Sequence, residues 1–189
     1  MTRLAPLLAL LYAAGCGESH SPVAASPSKT FAERVGDGRG VENFAKITPQ
    51  LYRGAQPTRE GFDRLKEMGV RTVINLRQHH TDKDEAEGSG IELVDIPMHA
   101  GVTGSTAPAD DDVRKFFEIA LDPAKQPVYF HCAHGKDRTG TMAALWRIEM
   151  EGWTPEEAMQ EMKSFGYHTI YDDLIDFVKG YAPRGFNKK

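Results

Sequence analysis

Residues 131–140 of this chain, which read HCAHGKDRTG, combine a cysteine, an arginine and two glycines in one short stretch. The apolar run before it, 127–130, predicts a buried strand, and residues 141–148 after it predict a buried helix. A loop that enters a helix presents unpaired backbone N–H groups and a partial positive charge, so it favours a bound anion. The same field favours the thiolate of Cys132 over its thiol.

Other residues of the loop complement this backbone. Arg138, separated from Cys132 by five residues, has a planar guanidinium that can bind two phosphate oxygens at once. Thr139 offers a hydroxyl beside the sulfur, which suits stabilisation of the sulfur as a leaving group, and Gly135 lets the backbone approach a ligand closely. The residues therefore predict nucleophilic displacement at phosphorus, through a phosphocysteine that water later releases.

The stretch resembles the Cys-x5-Arg signature loop of the cysteine-dependent phosphatases, which include the protein tyrosine and dual-specificity phosphatases. Its interior Lys-Asp pair is similar to that of bacterial tyrosine/lipid phosphatases, near the compact atypical dual-specificity and phytase-like enzymes. Residues 47–57 and 69–77 also resemble this group, so the likeness covers about 47–181. It implies a phosphoric monoester hydrolase with an α/β, single-domain tyrosine/dual-specificity phosphatase-like fold, in which helices flank a central sheet.

The resemblance also implies roles for individual residues. Cys132 is expected to be the nucleophile and Arg138 to bind the transferring phosphoryl group. His131, which precedes the nucleophile, is expected to orient the loop through hydrogen bonds. The expected phosphate-binding residues are Ala133, His134, Gly135, Lys136, Asp137 and Arg138.

Two aspartates compete for the role of general acid. Asp137 is the first choice, because related loops with Lys-Asp at these positions use that aspartate. Its alternative role is structural, as a partner of Arg138 or a cap of the following helix. Asp110 is the second choice, because the loop before it, 98–109, corresponds to one that often carries the acid in this superfamily. The alternative role of Asp110 is that of a helix N-cap.

The substrate is inferred from charge. His134 and Lys136 add positive charge beyond what one phosphomonoester needs, which favours inositol polyphosphates or phosphoinositides. A phosphotyrosine substrate is the alternative, and a catalytically silent phosphate-binding module is a further one. Arsenate reduction is not favoured, because this chain lacks the extra cysteines that the reaction usually needs. The net charge of −4 gives no indication of nucleic-acid binding. No metal or organic cofactor is implied.

The N-terminal part of the chain has the pattern of an export signal. Residues 1–16 combine Arg3, a short apolar run and an Ala-Ala-Gly-Cys sequence similar to a lipobox, which predicts lipidation of Cys16. Ordinary secretion, with cleavage near Gly15, is the alternative. A flexible linker is expected over 17–38 and the phosphatase domain over 39–189. The expected location is the bacterial cell envelope, as a periplasmic or outer-membrane anchored lipoprotein that meets the membrane only through its lipid.

The remaining elements follow from local patterns. An edge strand is expected over 50–53 and buried strands over 71–76 and 91–96, with a solvated loop over 77–90. Helices are expected from Thr58 as N-cap to Met68, from Asp110 to Leu121, from a capping box at Thr154 to Gly166, and over 169–181.

Overall fold

The computed structural model describes residues 29–99 and 107–186. Within these ranges the strands are β1 (Glu33–Arg34), β2 (Ala45–Thr48), β3 (Leu51–Gly54), β4 (Thr72–Asn75), β5 (Glu92–Asp95) and β6 (Val128–His131). The helices are α1 (Arg59–Glu67), α2 (Asp110–Leu121), α3 (Asp137–Glu151), α4 (Pro155–Ser164) and α5 (Asp172–Lys179). The expected α/β fold, with helices around a central sheet, is confirmed.

The six described strands form one sheet in the order β1-β2-β3-β6-β4-β5. The pairs β3–β6, β6–β4 and β4–β5 are parallel, whereas β1 and β2 pair antiparallel to their neighbours. Gly54 and Asn75 both stand in register with His131, so the carboxyl ends of three parallel strands meet at one edge. The loops that leave this edge are where an open α/β sheet binds its ligands.

The position of β3 corrects one expectation. The strand was predicted to lie at the edge of the sheet, but it pairs with β2 on one side and β6 on the other. Strand β2 ends only two residues before β3, but β6 is almost 80 residues further on, so no local pattern could indicate the pairing that places β3 inside the sheet.

The strands bury both faces, and β6 shows the division. Val128 and Phe130 pack into the larger core with α2, α3 and α4, while Tyr129 packs on the opposite face with α1. A strand buried on both sides has no polar alternation, which is why 127–130 is a continuous apolar run.

The helix ends test the predicted caps. Thr58 accepts from the N–H of Gly61 and starts α1, and Thr154 forms the predicted capping box with Glu157. The prediction that Asp110 is an N-cap is wrong, because Ala109 holds the extended cap conformation and Asp110 is already helical. Three aspartates therefore occupy the first turn of α2, where the helix dipole favours negative charge.

The predicted linker over 17–38 is wrong from Lys29 onward. Strand β1 pairs with β2, the N–H of Ala32 donates to Glu161 at 2.8 Å, and Lys29 forms an ion pair with Glu157 at 2.6 Å. Residues 1–28 lie outside the described part, so the export signal, lipidation of Cys16 and the rest of the linker stay predictions. Within 29–99 and 107–186, no helix is long and apolar enough to cross a membrane.

Candidate active site

The loop between β6 and α3, residues 132–136, opens onto a pocket of about 230 Å³. The residues lining this pocket are Cys132, Ala133, His134, Asp137, Arg138, Tyr171 and Leu174. The first five come from the signature loop and the start of α3, and the last two from the segment that begins α5. A larger surface hollow of about 570 Å³, lined by residues of 36–39 and 60–67, has no cysteine, serine, threonine or histidine in its lining.

The thiol of Cys132 lies at the buried end of the pocket, with 3% of the residue exposed. Burial raises the pKa of this thiol, but hydrogen bonds from the hydroxyl and N–H of Thr139, the charge of Arg138 and the N–H of His134 together bring the pKa below its ordinary value. The Thr139 hydroxyl also lies 3.5 Å from the Gly54 carbonyl. Since it carries a single proton, the hydroxyl is expected to donate to the thiolate, the stronger acceptor.

Arg138 is oriented by the neighbouring strand. Its Nη1 donates to the carbonyl of Leu76, just beyond β4, at 3.3 Å. This contact fixes the guanidinium at the wall of the pocket next to Cys132. The arrangement gives an anion in the pocket a cation on one side and the backbone N–H groups of the loop on the other.

His131, the residue before Cys132, is fully buried and has two polar contacts. Its Nε2 lies 2.8 Å from Oδ2 of Asp82, and its Nδ1 lies 3.3 Å from the carbonyl oxygen of Cys132. Burial raises the pKa of Asp82, but the hydrogen bond and charge of His131, with help from Gln56 and His80, lower the pKa below its ordinary value. The pair therefore holds the end of β6 and the carbonyl of Cys132 in place.

Asp82 shows that the prediction of a wholly solvated loop over 77–90 is wrong. Its side chain is 2% exposed and also accepts from Nε2 of Gln56 at 2.8 Å. His80 is turned toward the same carboxylate, 3.6 Å away. Composition indicated solvent exposure here because the segment is rich in charged residues. The buried partner of Asp82, His131, is 49 residues away, so no local pattern indicated the contact.

Asp137 lines the pocket at the first position of α3. Its carboxylate accepts from the backbone N–H of His168 at 2.8 Å and lies 3.0 Å from Nδ1 of the same residue. Within the part of the chain that the structure describes, the carboxylate hydrogen-bonds with His168 and not with Arg138. Its side chain is 17% exposed, so it reaches both the pocket and solvent. His168 was not singled out from the sequence, which carries no local motif around it.

Two other predicted residues lie apart from the pocket lining. Asp110 is exposed at the start of α2 and pairs with Arg184 at 2.8 Å. The side chain of Lys136 runs over the turn at Gly166, where an added Cβ would lie 3.7 Å from the Lys136 Nζ. Neither side chain is among those that line the pocket around Cys132, whereas the exposed His134 is. Among the described residues, no group of three or more His, Cys, Asp or Glu side chains could hold a metal ion.

The lowered thiol pKa leads to a measurable reactivity. Alkylation of Cys132 by iodoacetamide is expected to reach half its maximal rate at a lower pH in the folded protein than in urea, because only the thiolate reacts. Mass spectrometry of the peptide that contains Cys132 gives the rate at each pH. Thr139→Val removes one stabilising hydrogen bond and is expected to move the midpoint upward. Equal midpoints in the folded and unfolded states would contradict the electrostatics described above.

Comparison with known proteins places this geometry among phosphatases. Residues 34–175 match a family model described as DSP-PTPase phosphatase fused to NAD+ kinase. The dual specificity protein phosphatase TpbA of Pseudomonas aeruginosa is 30% identical over 171 residues, which cover 87% of this chain and 73% of TpbA. The inositol diphosphatase SIW14 of Saccharomyces cerevisiae is 28% identical over 130 residues, covering 67% of this chain and 46% of SIW14.

A solved structure agrees with the sequence comparison. The crystal structure of a substituted form of TpbA from P. aeruginosa, in complex with pTyr, superposes with a TM-score of 0.70 at 27% identity. The superposition covers 85% of this chain and 95% of that one. The similarity therefore includes the sheet and helices that carry the signature loop, and not only the loop itself.

Proposed function

This chain belongs to the family of DSP-PTPase phosphatases fused to NAD+ kinase, and on that premise we propose that it hydrolyses phosphomonoesters through a phosphocysteine on Cys132, preferring inositol polyphosphates. The chain is a cysteine-dependent phosphatase, so the alternative of a catalytically silent module is set aside. The observation that carries the proposed mechanism is the buried Cys132 thiol, with its lowered pKa, beside the guanidinium of Arg138.

In the first proposed step, the Cys132 thiolate attacks phosphorus and forms an S–P bond while the bond from phosphorus to the leaving oxygen breaks. Arg138 and the N–H groups of the loop bind the phosphoryl oxygens as charge redistributes. Asp137 transfers its proton to the leaving oxygen. Its place in the pocket lining supports this role, whereas the ion pair of Asp110 with Arg184 holds that carboxylate at the start of α2.

In the second step, water attacks phosphorus and the S–P bond breaks, which returns the thiolate and releases phosphate. Asp137, now ionised, accepts the proton of the attacking water. The Thr139 hydroxyl stabilises the departing sulfur by donating a hydrogen bond to it while keeping its proton, a role supported by its hydrogen bond to Cys132. His131 and Asp82 act by holding the loop, since they contact each other and His131 also contacts the carbonyl of Cys132.

The preference for inositol polyphosphates rests on positive charge around the mouth of the pocket. His134 is exposed and lines the pocket. Arg77 follows Leu76, whose carbonyl binds Arg138, and its own Nη1 is held by a neutral partner, Oε1 of Gln56, at 3.1 Å. A second phosphate of the substrate is expected to meet these two residues. The relative SIW14 is an inositol diphosphatase, which supports the same substrate class.

Phosphotyrosine is the second candidate substrate, favoured by a different wall of the pocket. Tyr171 and Leu174 line it with aromatic and apolar surface, and Ile170 beside them is 66% exposed. Such a wall suits the ring of a phosphotyrosine. The structure of the relative TpbA in complex with pTyr agrees with this alternative.

Phosphate release from inositol hexakisphosphate and from a phosphotyrosine peptide, compared as kcat/KM, decides between them. Arg77→Ala is expected to lower kcat/KM for inositol hexakisphosphate about tenfold, because it removes a charged hydrogen-bond donor, and to leave p-nitrophenyl phosphate hydrolysis unchanged. Arg71→Ala is the matched control, since Arg71 is exposed at the opposite end of β4. A preference for the peptide would contradict the proposed substrate and leave the phosphatase mechanism standing.

The proposed location is the bacterial cell envelope, through a lipid on Cys16. Its support is the pattern of residues 1–16: a positive start, a short apolar run and a lipobox-like end.

A further inference from the structure

The rear of the signature loop is held by a set of contacts that the proposed mechanism does not use. Three consecutive carbonyl groups of the loop each accept a hydrogen bond from a residue of 43–56. The contacts are Gln56 N to Ala133 O at 3.3 Å, Asn43 Nδ2 to His134 O at 3.1 Å, and Arg53 Nη2 to Gly135 O at 2.9 Å. Every backbone carbonyl of the loop from residue 133 to 135 is therefore hydrogen-bonded on the side that faces away from the pocket.

These contacts decide where the N–H groups of the loop point. In a planar trans peptide the C=O and the following N–H point in opposite directions. Carbonyls bound at the rear therefore turn the N–H groups of His134, Gly135 and Lys136 toward the pocket. The hydrogen bond from the His134 N–H to the sulfur of Cys132 agrees with this orientation. Gly135, with φ of +66°, supplies the left-handed residue that such an anion-binding nest requires.

The loop is closely packed on the side that faces away from the pocket. A Cβ added at Gly135 would lie 2.5 Å from the carbonyl carbon of Gly54 and 2.6 Å from its oxygen. The loop thus packs directly on the strand that carries Arg53. Asn43 is itself held with a positive φ of 51°, and its Nδ2 also donates to the carbonyl of Phe165 at 3.0 Å. Small movements of these residues are therefore transmitted to the loop.

Arg53 is the unusual member of the set, because it is a fully buried cation. Its Nε and Nη1 have no hydrogen-bond partner within the described residues, and its guanidinium lies 4.1 Å from the ring centroid of Phe165. Burial lowers the pKa of Arg53 to about 10, against the raising effects of Glu161 and Cys132, so it stays charged at neutral pH. Arg147 and Arg34, the other charges that act on it, repel it.

The charge of Arg53 calls for an explanation beyond the hydrogen bond to Gly135. A neutral donor could satisfy that carbonyl, whereas a buried ion carries a large desolvation penalty unless opposite charge compensates it. Glu161, the acidic group that raises the pKa of Arg53 most, already accepts two hydrogen bonds from Arg147, at 3.3 and 2.8 Å. The anions that remain are the thiolate of Cys132 and a phosphoryl group bound in the loop in front of it.

We propose that Arg53 is a positioning residue that, with Asn43 and Gln56, aims the N–H groups of His134, Gly135 and Lys136 at the transferred phosphoryl group. Its buried charge also stabilises the anions that form at Cys132. The proposal rests on the assignment of this loop as the phosphate site in the proposed function. Arg53 touches neither the substrate nor the sulfur in this role: it acts through its hydrogen bond to the loop and through the electrostatic field of its charge.

Arg53→Met and Arg53→Gln test the proposal, the second being a neutral side chain that can still donate to Gly135. Arg53→Met is expected to lower kcat/KM for p-nitrophenyl phosphate about 10²-fold, the cost of misplacing catalytic groups by about 1 Å, and Arg53→Gln is expected to lower it less because it keeps a donor to Gly135. Both are expected to weaken inhibition by tungstate, a phosphate mimic, and to raise the pH at which alkylation of Cys132 is half-maximal. Arg53→Lys keeps the charge. Its alkylation midpoint is therefore expected to lie closer to the wild-type value than its tungstate affinity does.

Arg64→Gln is the matched control, because its guanidinium also lies over an aromatic ring, 5.4 Å from the centroid of Phe44, and its polar partners are the carbonyl of Arg39 and the carboxylate of Asp37, away from the loop. It is expected to leave tungstate inhibition and the alkylation midpoint unchanged. If Arg53→Met does not fold, the same measurements are made on Arg53→Gln. If neither neutral variant folds, Arg53→Lys tests the proposal, because it is expected to bind tungstate more weakly than the wild type. A folded neutral variant with wild-type inhibition and midpoint would overturn the proposal. Absence of turnover in the wild type would instead contradict the proposed function.

Discussion

Replacing Cys132 by serine is expected to reduce turnover of p-nitrophenyl phosphate by at least about 10⁴-fold, as for other enzymes that lose their nucleophile. A serine hydroxyl keeps its proton at neutral pH, and the loop favours an anion without providing a base beside residue 132 to remove that proton. Binding of p-nitrophenyl phosphate, measured by calorimetry, is expected to persist, because Arg138 and the N–H groups of the loop remain. Steady-state kinetics and calorimetry on the same preparation separate the two effects.

Cys132→Ala serves as the control for shape, and it is expected to be equally inactive and to keep the same unfolding temperature. Mass spectrometry of the wild type, quenched during turnover, is expected to find one phosphoryl group on the peptide that contains Cys132. Residual activity of the serine variant within tenfold of the wild type would remove the phosphocysteine from the mechanism. It would leave the chain's membership of the phosphatase family unaffected.

The second large effect is expected from Asp137→Asn. Hydrolysis of inositol hexakisphosphate is expected to fall about 10²–10⁴-fold, because the alkoxide leaving group needs a proton in the transition state. Hydrolysis of p-nitrophenyl phosphate is expected to fall far less, since p-nitrophenolate leaves without one. An asparagine can still accept the N–H of His168 through its oxygen, so the local structure is expected to remain. The ratio of kcat/KM for the two substrates is the measurement, because kcat/KM reports formation of the phosphocysteine, whereas kcat also contains its hydrolysis, in which Asp137 acts for both substrates.

Asp110→Asn is the matched control for this experiment. Asp110 is exposed and paired with Arg184, so its loss is expected to leave both rates close to wild type. If Asp137→Asn keeps the full rate on both substrates and Asp110→Asn loses it, the order of the two aspartates is reversed. The loop before α2 would then have to bring Asp110 to the pocket.

Local patterns predicted well wherever the determining residues are close together in sequence. The strand at Val128–His131, the loop that follows and helix α3 form one continuous stretch, and an apolar run next to a glycine-rich turn indicates each of them. The N-caps Thr58 and Thr154 were predictable for the same reason, since each bonds an N–H three residues away. The N-cap of α2 was wrongly assigned to Asp110 because several polar residues lie together at this helix end. The residue with the extended cap conformation is Ala109.

Long-range contacts were beyond the reach of these patterns. A charged segment such as 77–90 is typical of a solvated loop, and Asp82 is buried only because His131 and Gln56 satisfy its carboxylate. Arg53 carried one usable indication: it stands two residues after Leu51, on the same face of β3, where an inward position is normally apolar. That indication was lost when the strand was placed at the edge of the sheet.

The reactive loop could be predicted from residue order alone, because Cys132, Arg138 and Thr139 lie within eight consecutive residues and their chemistry depends on that spacing. How the loop is held depends instead on contacts between distant parts of the chain. Its rear carbonyls are bound by Asn43 and Arg53, about 80 to 90 residues earlier in the chain, and the nearest aspartate to the pocket is positioned by His168. The physical reason is that hydrogen bonds and buried charges depend on distance in space, which the parallel sheet sets by bringing the ends of β3, β4 and β6 to one edge.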